Sequence, residues 1–583
     1  MFNFFFSIDI DYIFDYTFCN FFKFGNIWTT NVFFDYNLLQ VIKVPLVHKL
    51  QQVVYLSPEL FLIIFIMVYL VFIKNFNNFY IRSLYFYLVL LVEMLLLFFN
   101  FHSILTNKNG SVEFFFFSSS FLVDYYSLFS KLILIFFLGF LTYFCNTTLW
   151  DNSKIRVTAF DFEQLLPSFN THFSRSNTKN SILHSNNLLA DIFIPLVFFI
   201  LFSFFLLSAF DLFSAYLALE GVSLALYTLT ANTYNKRVSI EAAIKYFVFG
   251  GVSNGLLIFG NSIFFGVCGT LNYLNVNYIL SILSINISSI TLYLGIICFL
   301  IVFWFKIAAF PCYMWSPDVY EGTWLPITAI LIIVVKLLYF LFFFKIFYYV
   351  FFSLSYVWQP LFLLSSLGSL IVGSFGIIGQ NRIKRFMAYS SINHISFILL
   401  GMSCANLSSL TVSILYLLVY SFTLLFFFGI LLRLRCMITG RFLIYLSDFA
   451  NLPKFSPISA NMLLIVLFSM GGIPPLAGFF IKLYVYIEAI SSGLHIFVII
   501  SLIITIVSMF YYLFFLKSLF FDKNLWSKLV YAQSSHNLLY ALFLLFCTLI
   551  IFFIFSYTFF FDISKKLALC AIMPIKYGLI IKI

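Results

Sequence analysis

Charge is what this chain has least of. Only 9% of its 583 residues are Asp, Glu, Lys or Arg, while 63% are hydrophobic and the mean hydropathy is +1.06. A water-soluble surface needs far more charge, so a soluble enzyme or nucleic-acid binder is excluded. The net charge of +11 does not reverse this. The basic residues sit in short loops between apolar runs rather than in one patch, so nucleic acid is not an expected partner. The nine cysteines form no CxxC pair, and the seven histidines are dispersed. Neither set suggests a haem, iron–sulfur or zinc site, and the cysteines read as small buried hydrophobes. The glycine-containing stretch GSFGIIG lies inside an apolar run and not after a strand, so it is no nucleotide fingerprint. The N-terminus reads as neither a secretory signal nor an Arg-rich transit peptide, being acidic early, at Asp9, Asp11 and Asp15.

What is abundant is the apolar run. Stretches of about 20 such residues predict a polytopic helical membrane protein. Spans are expected near 58–72, 84–101, 124–143, 191–209, 211–231, 241–265, 287–310, 325–349, 360–378, 386–402, 407–432, 460–490, 495–516 and 538–557. Residues 1–56 read as a Phe-rich extension and 146–189 as a polar loop insertion; the tail after 562 mixes Lys with apolar residues. Lys and Arg recur in alternate loops, as at Lys236 and Arg237, and at Arg382, Lys384 and Arg385, whereas the 7–8 loop carries only Asp318 and Glu321. This alternation predicts an even number of spans with the odd-numbered loops on the positive face. Lys108 and Lys345 are the exceptions on the other side. The 86 phenylalanines match the nucleotide bias of an AT-rich, organellar genome.

Against this background four of the ionisable residues inside spans are the leading functional candidates: Glu220, Lys306, Lys336 and Lys482. A charge at that depth is costly and marks ion or proton pathways facing a protein or water-filled interior. Glu220 and Lys306 are expected to pair, and separating them would favour the neutral forms of both; an inert ion pair that fixes packing is the alternative. Lys336 lies in ILIIVVKLLYFL, with no acid within a turn, and suits a relay between Lys306 and Lys482. Pro311 is expected to free the carbonyl of Ile307, and Pro474 and Pro475 those of Met470 and Gly471. Discontinuous helices of this kind put backbone dipoles beside ion sites. Secondary candidates are the i,i+4 pair Glu241 and Lys245, and His394 with Ser390, Ser391 and Asn393, which would carry a water chain or simply bond helices together. Tyr313, Tyr416 and Tyr420 are polar candidates that the sequence cannot rank among 36 tyrosines. Gly368, Gly373 and Gly376 predict a close helix approach in the ninth span.

Five stretches carry a resemblance: LALEGVSLALYTL at 217–229, EAAIKYFVFGGVSNGLLIFG at 241–260, FKIAAFPCYMWSPDVYEG at 305–322, NRIKRFMAYSSINHISFILLGM at 381–402 and GGIPPLAGFFIKLYVYIEAI at 471–490. The chain resembles the antiporter-like membrane subunits of respiratory NADH:ubiquinone oxidoreductase (complex I), mitochondrial type, and most of all those of the subunit 2 type. The resemblance implies an all-α polytopic fold of about 14 transmembrane helices, with helices 1–3 at 57–145, inverted five-helix repeats at 190–352 and 357–516, and helix 14 with a tail at 517–583. Helices 7 and 12 would be discontinuous. It implies that Glu220 and Lys306 couple, Lys336 relays and Lys482 ends the proton path. It further implies that FMN, iron–sulfur clusters and ubiquinone belong to other subunits, and that structural lipids such as cardiolipin line the surface. The implied partners are a subunit 4 type antiporter-like neighbour and small membrane subunits in the mitochondrial inner membrane; the segments 1–56 and 146–189 depart from the family and are expected either to contact accessory subunits or to be tolerated surface insertions. Tyr313 departs from the family, which often has a histidine there, and tyrosine does not titrate near neutral pH. A multisubunit cation/proton antiporter and a membrane-arm scaffold remain the competing readings.

Overall fold

Two helices have almost no surface: Leu325–Val350 is buried throughout, and Leu407–Arg433 is buried from Ser409 onward except for half-buried Phe422. The remaining helices pack around them in this computed structural model. It describes residues 55–72, 79–106, 114–116, 119–144, 192–232, 237–286, 290–436, 442–450, 452–521, 530–532 and 557–572. The insertion expected at 146–189, the extension at 1–56 apart from Tyr55 and Leu56, and the fourteenth span before Tyr557 lie outside these residues.

In chain order the helices are α1 (Ser57–Phe72), α2 (Phe79–Thr106) and α3 (Tyr125–Phe144). Next come α4 (Phe193–Ser208), α5 (Leu212–Ala231), α6 (Arg237–Cys268), α7 (Tyr273–Asn286) and α8 (Ile290–Ile307). A short helix, α9 (Trp315–Gly322), precedes the buried α10 (Leu325–Val350), which contains π-helical turns at Leu331–Val335 and Ile346–Val350. Then follow α11 (Ser355–Ile377), α12 (Ile383–Ser403), the buried α13 (Leu407–Arg433), α14 (Pro457–Gly471), α15 (Ala477–Ser491), α16 (His495–Phe520) and α17 (Tyr557–Ile572). Among the described residues the strands form two antiparallel pairs of three residues each, Phe114–Phe116 with Phe121–Val123 and Leu434–Cys436 with Val530–Ala532. The protein is an all-α, multi-pass membrane fold. Among the described residues eight helices are long and apolar enough to cross a bilayer.

Local sequence explains the helix ends. Asn406 and Ser409 form a capping box at the start of α13. Pro326 opens α10 and Pro457 opens α14, where a missing N–H costs nothing. Both expected breaks are present, but they are made differently. Helix α8 already ends at Ile307, four residues before Pro311, with Ala308 in the left-handed region at φ +61°. Helix α14 ends on Gly472 at φ +89° and the chain resumes in α15 after Pro474 and Pro475. Gly373 lets α11 press against α12: a Cβ there would stand 2.7 Å from the Asn393 backbone nitrogen.

Three features depart from the sequence reading. Helix α7 was not expected as an element, its 14 residues being too short and too rich in Asn to stand out as a span. The mixed Lys and apolar composition after 562 suggests a tail lying on the membrane surface, but its described part, in α17, packs on α13, with Leu567, Ala568 and Ala571 buried and Phe560 against Phe422. Lys345 is no loop charge, since it lies inside α10, 3% exposed, 3.8 Å from Asp124.

The polar loops meet at one side. Arg385 lies 3.4 Å from Asp318, and both Arg382 and Arg385 pair with Glu321. Lys384 donates to the carbonyls of Glu321 and Thr323. These bonds tie α9 to the α11–α12 connection, so the acidic and basic loops share a face as their alternation requires.

Candidate functional site

Lys306, Lys336 and Lys482 are 4%, 3% and 7% exposed, and each ammonium is held by neutral groups. Lys306, in the last turn of α8, donates to Asn254 Oδ1 of α6 at 3.0 Å. The amide nitrogen of Asn254 is 3.5 Å from Ser223 Oγ, which in turn donates to the Glu220 carbonyl at 2.8 Å. Glu220 itself is half-buried on α5. The contact of the Lys306 ammonium is with Asn254 and not an ion pair with the Glu220 carboxylate. The bonds from Lys306 through Asn254 and Ser223 thus end on the backbone carbonyl of Glu220, on α5.

Lys336 follows directly after the first π-helical turn of α10, a distortion often found at functional positions. It donates to Ser391 Oγ of α12 at 2.7 Å and stands 5.6 Å from the Tyr320 ring centre. A cavity of ≈ 10 Å³ beside it is lined by Ile395, Tyr420 and Ser421. That is room for about one water molecule. His394, one turn along α12 from Ser391, is 4% exposed. Its Nδ1 lies 2.9 Å from Tyr416 Oη and its Nε2 3.2 Å from Tyr512 Oη. Its ring stacks on Tyr420 at 4.6 Å. His394 thus joins α12, α13 and α16 through two phenols.

Lys482 of α15 donates to the carbonyls of Met470 at 3.1 Å and Gly471 at 2.8 Å. These are the two acceptors expected to be freed by Pro474 and Pro475. The helix break supplies backbone dipoles in place of a counterion. A cavity of ≈ 820 Å³ between α15 and α16 reaches Lys482 past Gly472, Phe479, Leu502 and Phe510. The corresponding break near Lys306 works otherwise: there the Phe305 carbonyl accepts from Trp315 Nε1 at 3.1 Å.

Glu241 and Lys245 do pair, at 2.7 Å, and Lys245 also lies 3.2 Å from Asp318. They are 64% and 40% exposed and belong to the loop-side network rather than to the buried line. Pro311 is exposed at the α8–α9 elbow, and the Tyr313 carbonyl there accepts from Ser316 Oγ at 3.0 Å. Sequence reasoning missed Asn254 and Tyr512. The available signal for Asn254 was a lone amide in the apolar run FVFGGVSNGLLIFG. It also missed that Lys131 bonds Glu59 across α3 and α1.

This arrangement suits proton exchange. An ammonium held by an amide oxygen, a hydroxyl or carbonyls can lose a proton without leaving a carboxylate stranded. Among the described residues no cluster of three or more His, Cys, Asp or Glu side chains could hold a metal ion.

The sequence profile of the family described as NADH:quinone oxidoreductase/Mrp antiporter, transmembrane, matches residues 209–508. The chain belongs to this family. Glu220, Lys306, Lys336, His394 and Lys482 all fall within the matched stretch. NADH-ubiquinone oxidoreductase chain 2 of Marchantia polymorpha is 35% identical over 61% of this chain and 72% of its own length. NADH-quinone oxidoreductase subunit N of Pelagibacter ubique is 37% identical over 53% of this chain and 64% of its own. The match thus spans a little under two thirds of that bacterial relative. In fold, the chain is similar to a chain of respiratory complex I from Thermus thermophilus, with a TM-score of 0.62, 20% identity and coverage of 89% of this chain and 98% of the other. It is also similar to a chain of the Mrp complex from Dietzia, with a TM-score of 0.70, 16% identity and coverage of 90% and 98%.

Proposed function

We propose that this chain is the subunit 2 type, proton-translocating membrane subunit of an NADH:ubiquinone oxidoreductase. Quinone reduction in other subunits would drive proton transfer through Glu220, Lys306, Lys336 and Lys482. The observation that carries the reading is the set of three buried lysines, none bonded to a carboxylate, each on a different helix. A scaffold has no need to bear the cost of burying them. His394, one turn along α12 from the Ser391 that holds Lys336, is held by two phenols and is bonded to neither lysine. Lys336 relays, Lys482 delivers to the cavity between α15 and α16, and Asn254 transmits changes at Glu220 to Lys306.

The finer architecture follows the same reading. Helices α4 to α10 form one inverted repeat, 190–352, and α11 to α16 the other, 357–516, each with one broken helix; helices 1–3 and 14 complete about 14 spans. The neighbours are a subunit 4 type antiporter-like chain and small membrane subunits, and the location is the mitochondrial inner membrane. The relative from Marchantia polymorpha, a chain 2, supports the assignment. A cation/proton antiporter reading draws on the fold likeness to the Mrp chain, but the relatives from Marchantia polymorpha and Pelagibacter ubique, both above 30% identity, are NADH oxidoreductase subunits.

The test is proton pumping by the assembled complex carrying Lys336→Ala, scored beside NADH oxidation and assembly. Retained assembly with pumping and coupled turnover lost together is expected. Normal assembly, turnover and proton yield would reduce the subunit to a scaffold. A sodium or potassium requirement without redox partners would favour the antiporter.

A further inference from the structure

A second group of buried ionisable residues lies outside the stretch matched by the family profile. Glu59 of α1, Glu93 of α2 and Lys131 of α3 are 2%, 0% and 0% exposed. Lys131 Nζ bonds Glu59 Oε1. Its ammonium also stands 5.6 Å from the ring centre of Phe204 on α4, a helix without ionisable residues. Glu93 stands on α2, which packs against α1, the helix of Glu59, and Glu59 and Lys131 are the charged side chains near it. Among the described residues neither Glu93 oxygen, nor Glu59 Oε2, has a hydrogen-bond donor.

Charge counting makes this arrangement informative. One ammonium balances one carboxylate, and Glu59 already has it. The second carboxyl, sealed from solvent, cannot carry an uncompensated charge at ordinary cost. A metal cation fits poorly, because hard cations take about six to eight oxygens. Only three carboxyl oxygens are free here, and the adjacent ammonium repels a cation.

We propose that Glu59, Glu93 and Lys131 form a buried proton-binding site in helices α1–α3, in which one proton is held by the two carboxyls in front of Lys131. Lys131 can serve as counterion to only one carboxylate at a time. The proton therefore resides on whichever carboxyl the lysine does not face, which is Glu93 in this structure. Movement of Lys131 from Glu59 towards Glu93 would move the proton the other way, so the site has two states of equal net charge. It is separate from the lysine line and does not depend on redox-driven pumping.

Infrared difference spectroscopy on membranes containing the assembled complex tests this through the C=O stretch of a protonated carboxyl, identified by its shift in deuterated water. Glu93→Gln is expected to remove one such band. Glu59→Gln is expected to remove it too, although Glu93 remains, because Lys131 is then free to pair with an ionised Glu93. Lys131→Met is expected to double it, since both carboxyls then need protons. A merely structural cluster would lose no band in Glu59→Gln. A band unchanged in Glu93→Gln or in Glu59→Gln would overturn the proposal, as would a wild-type band that disappears on adding sodium. Loss of assembly in one variant leaves the other two to decide.

Discussion

Removing the amide of Asn254 isolates the bridge between Lys306 and Glu220. Asn254 Oδ1 is the hydrogen-bond acceptor for the Lys306 ammonium, at 3.0 Å, in a site where the lysine is 4% exposed. A hydrogen bond to a charged group contributes about 1.5–3 kcal/mol, and its loss leaves a buried donor unsatisfied. At 1.36 kcal/mol per factor of ten, Asn254→Ala should shift the balance between the resting and transferring states about 10- to 150-fold. Coupled NADH oxidation and proton yield should fall together, with the complex still assembled. The decisive comparison is a double-mutant cycle with Lys306→Met. Once the ammonium is gone Asn254→Ala has no charged partner to abandon, so it should add little. The assay is uncoupler-sensitive NADH oxidation beside pH-dye quenching in the same vesicles. Asn254→Ala at wild-type rates, or effects of the two changes that simply add, would refute the bridge and restore a direct Glu220–Lys306 coupling.

Other perturbations read other parts of the structure. Tyr416→Phe and Tyr512→Phe each remove one phenol from His394, worth about 0.5–1.5 kcal/mol; each should slow coupled turnover a few-fold, and the double variant more than either, measured as above. Gly373→Leu places side chain where a Cβ alone would be 2.7 Å from the Asn393 backbone. Overpacking of this kind costs about 1–3 kcal/mol, so native gels should show less assembled complex. Arg385→Ala breaks pairs that are about 40% exposed on the arginine side and should be nearly neutral, as exposed pairs are worth about 0–1 kcal/mol. Glu321→Gln, whose carboxylate is 13% exposed and faces both Arg382 and Arg385, should destabilise the α9 elbow more, seen as faster proteolysis between α9 and α10.

Depth in the membrane was legible in the sequence, because hydropathy measures the cost of leaving hydrocarbon. The spans, the lysines within them and the proline-marked breaks follow from it, and so does the release of the Met470 and Gly471 carbonyls that Lys482 takes up. Direction around each helix axis was not legible. Helix α10, with mean hydropathy 2.7, is wholly buried in protein, whereas α16, at 2.5, is 33% buried. Lipid and protein interior accept the same side chains, so the two environments leave nearly the same composition. Which groups meet is therefore a tertiary outcome. Only packing brings Asn254 to Lys306, Ser391 to Lys336, Tyr416 and Tyr512 to His394, and Glu59 to Lys131. These partners lie between 22 and 118 residues apart in the chain, where periodicity carries no information. The sequence alone determined a membrane protein with charges inside its apolar spans, and the fold decided what each charge touches.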